Sequence, residues 1–116
     1  FRPPELERAA PRLARLLRMS AAEFTEFFAG SPVLRLKHER LLRNACLAAG
    51  NSADLTLLPP LYELLASDSP LVRAHAAWAI ARLAGATARQ TLRAALRRET
   101  DAECAADLSA TLAELG

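Results

Sequence analysis

Four cations within nine residues form the cluster of this chain that is best suited to chemistry with a partner. They are Arg35, Lys37, Arg40 and Arg43, with Glu39 as the only acidic residue among them. Four positive charges and one negative charge give this segment a net +3, whereas the whole chain carries only +2. Long cationic donors on an exposed helix suit contacts with phosphate groups, so the cluster is a candidate nucleic-acid contact.

The ordinary alternative for the same cluster is a solvated helix face without a partner. Aromatic residues make up 5% of the chain, and few of them interleave with the cations, so base stacking is not favoured. Contact with the backbone of a folded RNA is the version of the binding hypothesis that the sequence supports. Arg73 and His75 are additional candidates, as RNA contacts or as structural residues. In the structural alternative, Arg73 and Asp68 form a ladder of charges between repeats, and His75 packs beside Trp78.

The remaining residues offer no catalytic or metal-binding pattern. The glycines stand at the predicted helix ends, which leaves no phosphate-binding glycine loop. The chain has two histidines, too few for a metal cage, and no Ser–His–Asp or Cys–His set is readable. Cys46 and Cys104 lie far apart without a CxxC pair, so we expect two small buried apolar residues and no disulfide. We therefore predict no catalytic residue, no metal and no cofactor within this chain.

The elements that must position the cationic cluster are predicted to be helices throughout. Hydrophobic residues make up 52% of the chain, mostly alanine and leucine, a composition that suits closely stacked helices. Ser-Pro pairs at 31–32 and 69–70 place a capping serine and a first-turn proline at two helix starts. Capping-box patterns begin at Ser20 and Thr100. Together these signals predict seven or eight short helices and no strand.

The predicted helices recur in pairs, and one pair is well formed. Residues 61–85 contain a leucine-rich helix, an Asp-x-Pro turn, a Val-Arg pair and an alanine-rich helix that ends in glycine, which resembles a short HEAT repeat. One pair cannot bury its apolar stripe alone, so neighbouring pairs must stack. The predicted fold is all-α, a short right-handed solenoid of HEAT-like pairs over residues 31–116. A helical segment over residues 1–30 is predicted to join it to a preceding redox domain.

Several blocks of the sequence resemble the C-terminal part of epoxyqueuosine reductases. The blocks are EFTEFFAGSP at 23–32, RLK at 35–37, LLRNA at 41–45, GNS at 50–52 and PLVRAHAAWA at 70–79. The resemblance covers about residues 12–85 well and the final pair loosely. Arg35, Lys37, Arg40 and Arg43 fit the basic character of this region in the family, whereas His38 and Glu39 depart from it.

The resemblance implies a larger parent enzyme that reduces epoxyqueuosine to queuosine in transfer RNA. It further implies cobalamin and 4Fe-4S clusters in upstream domains of the parent, and helical repeats that help to hold the tRNA. We therefore expect a cytoplasmic, non-membrane protein in queuosine biosynthesis, with tRNA and the upstream domains as partners. The alternative is a HEAT-repeat scaffold for protein interactions, unrelated to RNA.

Overall fold

The regular secondary structure of the chain is helical throughout its described part. The computed structural model describes the backbone of residues 12–27 and 34–116, with side chains except those of residues 27 and 34–36. No strand occurs within these ranges, which confirms the predicted all-α class.

Seven α-helical stretches follow one another in the described ranges. They are α1 (residues 12–17), α2 (Ala21–Phe27), α3 (Leu34–Gly50), α4 (Leu58–Leu64), α5 (Pro70–Ala84), α6 (Arg89–Arg98) and α7 (Ala102–Glu114). Short 3-10 helices at Leu55–Leu57 and Gly85–Ala88 lead into α4 and α6. The number is at the lower end of the predicted seven or eight.

The helices pack as three successive pairs. α2 contacts α3, α4 contacts α5, and α6 contacts α7. The second helices form a layer in which α5 lies between α3 and α7. This arrangement confirms a solenoid-like stack of HEAT-like pairs. The predicted boundary between residues 30 and 31 lies outside the described residues and stays a prediction.

The core lies between the two helix layers and is filled mainly by leucine and alanine. Its largest fully buried side chains are Leu17, Leu57, Leu61, Ile80, Leu92 and Leu108. Three alanines of α5, Ala76, Ala77 and Ala79, are fully buried, and their small side chains let neighbouring helices come close to α5. Phe24, predicted to be a core residue, is 4% exposed. The same prediction for Phe27 and Phe28 falls on side chains outside the described set.

Two of the predicted helix caps are confirmed by their hydrogen bonds. At the start of α2, the amide of Glu23 donates to the hydroxyl of Ser20 at 3.1 Å, and the amide of Ser20 donates back to the Glu23 carboxylate at 3.5 Å. At the start of α5, the amide of Val72 donates to Oγ of Ser69 at 3.3 Å. The Ser-Pro pair at 31–32 lies outside the described residues.

The capping box predicted at Thr100 is wrong by one residue. Asp101 is the cap of α7, and its Oδ2 accepts from the amide of Cys104 at 2.8 Å. The Glu99 carboxylate, already held by a long-range ion pair, accepts from the amide of Asp101 at 3.1 Å. The Asp101 carboxylate thus takes the role expected of the Thr100 hydroxyl, and the Glu99 carboxylate takes the reciprocal role expected of Glu103.

Gly50 allows α3 and α5 to approach closely where the two helices meet. A Cβ atom at this position would lie 2.6 Å from Cζ3 of Trp78 and 3.1 Å from Cα of Ala79. The sequence indicated only that Gly50 ends a helix. Gly85 does end α5 as predicted, with φ at +61°, a backbone conformation that favours glycine.

Candidate nucleic-acid interface

Helix α3 presents one face to the core and an opposite face to solvent. Leu42, Ala45, Cys46 and Ala49 are buried, at helical spacings of three, one and three residues. Lys37 and Arg40 are exposed and Arg43 is half-buried, and the spacing of three residues places these side chains on neighbouring turns of the outer side. The helix thus brings three of the four predicted cations together. Arg35 belongs to the first turn of α3, but its side chain lies outside the described set.

The three described cations remain available to a partner. Arg43 donates from Nε and Nη2 to the side-chain oxygen of Asn44, at 3.3 and 3.1 Å. Neither Lys37, Arg40 nor Arg43 forms an ion pair with a residue in the described ranges. Their positive charge is therefore not neutralised by a described carboxylate, and the arrangement can bind a polyanion.

His38 anchors the cationic helix to the preceding elements. Its Nε2 lies 2.8 Å from the carbonyl oxygen of Met19, which can only accept, so this nitrogen carries the donating proton. The imidazole also contacts the ring of Phe24 in α2, with 5.4 Å between the ring centroids. Sequence reasoning assigned no role to His38. In the structure it holds the turn that contains Lys37 and Arg40 against the loop before α2.

Arg73 is engaged in a buried ion pair that joins successive helix pairs. Its Nε and Nη2 donate to the two carboxylate oxygens of Glu99 at 2.8 and 2.7 Å, and its Nη1 donates to the carbonyl of Ser67 at 2.7 Å. The side chain of Glu99 is only 3% exposed. This geometry matches the structural alternative for Arg73, but the partner differs from the expected one. Asp68 is exposed, and the ladder is built by Glu99, which arrives from the end of α6.

Glu99 is held ionised by these contacts. The hydrogen bonds from Arg73 lower the pKa of this carboxyl to about 2, although its burial acts in the opposite direction. The thiol of Cys104 lies 3.1 Å from Oε1 of Glu99 and donates to it. Burial, assisted by this carboxylate, raises the pKa of the Cys104 thiol to about 12. The cluster therefore stabilises the fold and does not supply a reactive thiolate.

An open groove crosses the layer of second helices between α3 and α7. This groove, called here the α5–α7 groove, has a volume of about 310 Å³. It is lined by Leu47, Ala74, His75, Trp78, Asp107, Ala110, Thr111 and Glu114. His75 is half-buried, and its Nδ1 donates to the carbonyl of Leu71 at 2.8 Å, as expected of a packing residue. His75 also lines the groove, whereas neither Arg73 nor Glu99 does.

The described residues contain no group of histidine, cysteine and carboxylate side chains arranged to hold a metal ion. Cys46 and Cys104 are both buried and free, in α3 and α7. Burial raises the pKa of the Cys46 thiol to about 12. These residues do not fit the four-thiolate set of an iron–sulfur cluster. Among the helices of the described ranges, none has both the length and the apolar character to cross a membrane.

Comparison with known proteins decides the family of this helical stack. The family of HEAT repeats matches residues 32–113, which include α3 to α6 and nearly all of α7. The chain belongs to the HEAT repeat family. The match covers the cationic helix, the Arg73–Glu99 pair and most of the α5–α7 groove, so all three are features of HEAT repeats in this protein.

Several relatives cover most of the chain but are themselves longer. A protein in the gldA 3′ region of Geobacillus stearothermophilus is 38% identical over 101 residues, covering 86% of this chain and 47% of the relative. The epoxyqueuosine reductase of Bacillus subtilis is 37% identical over 101 residues, covering 86% of this chain and 26% of the relative. The chain thus spans less than half the length of both.

A solved structure shows the same fold. A crystal structure of epoxyqueuosine reductase with an epoxyqueuosine-modified tRNA-Tyr stem loop superimposes with a TM-score of 0.75 and 34% identity. The match covers 89% of this chain and 28% of that chain. These findings confirm the resemblance seen in the sequence: the chain is homologous to the HEAT-like C-terminal region of epoxyqueuosine reductases.

Proposed function

We propose that this HEAT repeat protein acts as a tRNA-binding region of an epoxyqueuosine reductase, with α3 as its RNA contact. The observation that carries the proposal is the outer face of α3, where Lys37, Arg40 and Arg43 lie free of described carboxylates. The homologous structure with a bound tRNA stem loop supports RNA as the polyanion. The similarity to reductases favours this function over an unrelated protein-interaction scaffold.

The cations contact phosphates and leave the reading of bases to other parts of the enzyme. No phenylalanine, tyrosine or tryptophan interleaves with Lys37, Arg40 and Arg43 on α3, and the His38 ring is held against Phe24 and Met19. Arginine and lysine bind phosphate without regard to sequence. Arg35 belongs to the first turn of the same helix, and we include it in the proposal because of its position in the sequence. Arg73 is left out, because Glu99 and Ser67 occupy its guanidinium.

The catalytic chemistry belongs to other parts of the parent enzyme in this proposal. Reduction of epoxyqueuosine would use cobalamin and 4Fe-4S clusters held by domains upstream of the repeats, in the cytoplasm. The two free cysteines of this chain are buried in separate helices and hold no part of such a cluster. The repeats contribute substrate binding, and their residues take part in no chemical step.

Charge reversal on α3 in the full-length parent tests the RNA contact. The triple variant Lys37→Glu, Arg40→Glu, Arg43→Glu should weaken binding of a tRNA stem loop. In a plot of the logarithm of the binding constant against the logarithm of the salt concentration, the slope should become shallower by about one unit for each phosphate that these side chains neutralise in the wild type. Arg35→Glu is measured separately. The matched control reverses three exposed arginines of α6, Arg93, Arg97 and Arg98. Equal weakening in both triple variants, or unchanged binding by the α3 variant, would contradict the proposal.

A further inference from the structure

The α7 side of the α5–α7 groove carries two negatively charged side chains. Asp107 and Glu114 line the groove seven residues apart on α7, and both are exposed. Neither forms a hydrogen bond or an ion pair with a residue in the described ranges. Glu103 lies one turn before Asp107 on the same side of the helix. The groove therefore has an acidic wall whose Asp107 and Glu114 carboxylates form no ion pair with a described residue.

The floor of the groove offers apolar and aromatic surface beside this wall. Trp78 is half-buried, and Leu47 of α3 is 37% exposed. The indole already attracts one cation within the fold, because the guanidinium carbon of Arg82 lies 5.2 Å from its ring centroid. Arg82 is not among the residues that line the groove, but it lines an adjoining cavity together with Trp78 and Glu114. An aromatic floor next to carboxylates suits a side chain with an apolar stem and a cationic end.

RNA is a poor fit for the same place. Phosphates would meet the carboxylates of Asp107 and Glu114, whereas the cations of α3 precede Leu47 along that helix and do not line the groove. Leu47 follows Arg43 by one helical turn, so the positive and negative areas share one surface of the helix layer. The positive area on α3 therefore suits a polyanion, and the negative area on α7 suits a polycation.

We propose that the α5–α7 groove binds a basic segment of a protein, with an arginine or lysine side chain entering between Trp78 and the α7 carboxylates. The stem of that side chain packs on Leu47 and the indole, and its cationic end pairs with Asp107 and Glu114. The proposal does not depend on the RNA contact of α3. A protein segment and an RNA can then occupy the same helix layer together.

The experiment uses the single tryptophan of the chain as a reporter. A peptide of alternating arginine and alanine is titrated into the purified chain while Trp78 fluorescence is recorded, with a glutamate–alanine peptide as the comparison probe. Only the arginine peptide should change the fluorescence. The double variant Asp107→Asn, Glu114→Gln should weaken its binding about tenfold, as expected for the loss of two charge pairs of modest strength.

The matched control removes two exposed carboxylates elsewhere, by Glu26→Gln and Asp68→Asn. It should change the affinity less than about twofold, because salt screens charges beyond a Debye length. Circular dichroism of both double variants checks that the helices are retained. Equal weakening in the two variants, or no response to the arginine peptide, would overturn the proposal. A change in Trp78 fluorescence when a tRNA stem loop is titrated in without the peptide would assign the groove to RNA and overturn the proposal as well.

Discussion

Replacing Glu99 by glutamine should remove most of the acid sensitivity that the Arg73–Glu99 pair confers on the fold. The pKa of Glu99 is lowered from its ordinary value of 4.5 to about 2, chiefly by its hydrogen bonds with Arg73. A carboxyl with a lowered pKa stabilises the folded state above its unfolded pKa. That contribution is lost as the pH falls from about 4.5 to about 2.

The magnitude follows from the same values. The difference between 4.5 and about 2 corresponds to about 3 kcal/mol of folding free energy at neutral pH. The side chain of Glu99 is 3% exposed and that of Arg73 is 19% exposed, so water screens the pair little. Removal of one partner from a buried ion pair costs about 3–5 kcal/mol, and the partial exposure of Arg73 puts the expected cost of Glu99→Gln at the lower end.

Urea unfolding of the wild type and of Glu99→Gln between pH 7 and pH 2 measures both quantities. The variant should be less stable at pH 7, and the stability difference should shrink as the pH falls below 4.5. Glu63→Gln is the matched control. Glu63 accepts from Nε and Nη2 of Arg18 at 3.0 and 2.7 Å, but both side chains are at least half exposed. Exposed pairs contribute little, so this variant should stay close to wild type.

Two outcomes would refute this account of the Arg73–Glu99 pair. One is a parallel loss of stability in the wild type and in Glu99→Gln between pH 4.5 and pH 2. The other is an effect of Glu63→Gln at pH 7 as large as that of Glu99→Gln. The first result would mean that the Arg73 contacts do not lower the pKa of Glu99, and the second would mean that burial does not distinguish the two ion pairs.

Two further predictions concern close packing and helix capping. Gly50→Ala should destabilise the fold by about 1–3 kcal/mol in urea unfolding, since the new methyl group overlaps Trp78 and presses on the backbone of α5. In a Trp78→Leu background the same substitution should cost clearly less, and an unchanged cost would show that the indole is not the obstacle. Asp101→Ala should cost about 1 kcal/mol through loss of the α7 cap, whereas Thr100→Ala should be nearly neutral. A larger loss of stability in Thr100→Ala than in Asp101→Ala would show that Thr100, and not Asp101, caps α7.

The all-helical fold and the cationic face of α3 were predictable because both depend on residues that are close in sequence. Serine caps, first-turn prolines and alanine–leucine periodicity act within one or two turns, and the caps at Ser20 and Ser69 formed as predicted. Helical periodicity alone places Lys37 and Arg40 on adjacent turns of one side. The repeat in residues 61–85 then indicated that the helices stack in pairs.

Contacts between different helix pairs were decided only by the tertiary structure. Asp68 is near Arg73 in sequence, but the packing of α5 against α7 and the start of α7 directly after Glu99 bring Glu99 to the guanidinium instead. The approach of α3 to α5 likewise made Gly50 a packing position beneath Trp78. The α5–α7 groove combines Leu47 with Asp107, which are far apart in the sequence. No local pattern encodes such contacts, because they depend on how closely neighbouring repeats stack and on the side-chain volumes that fill the space between them.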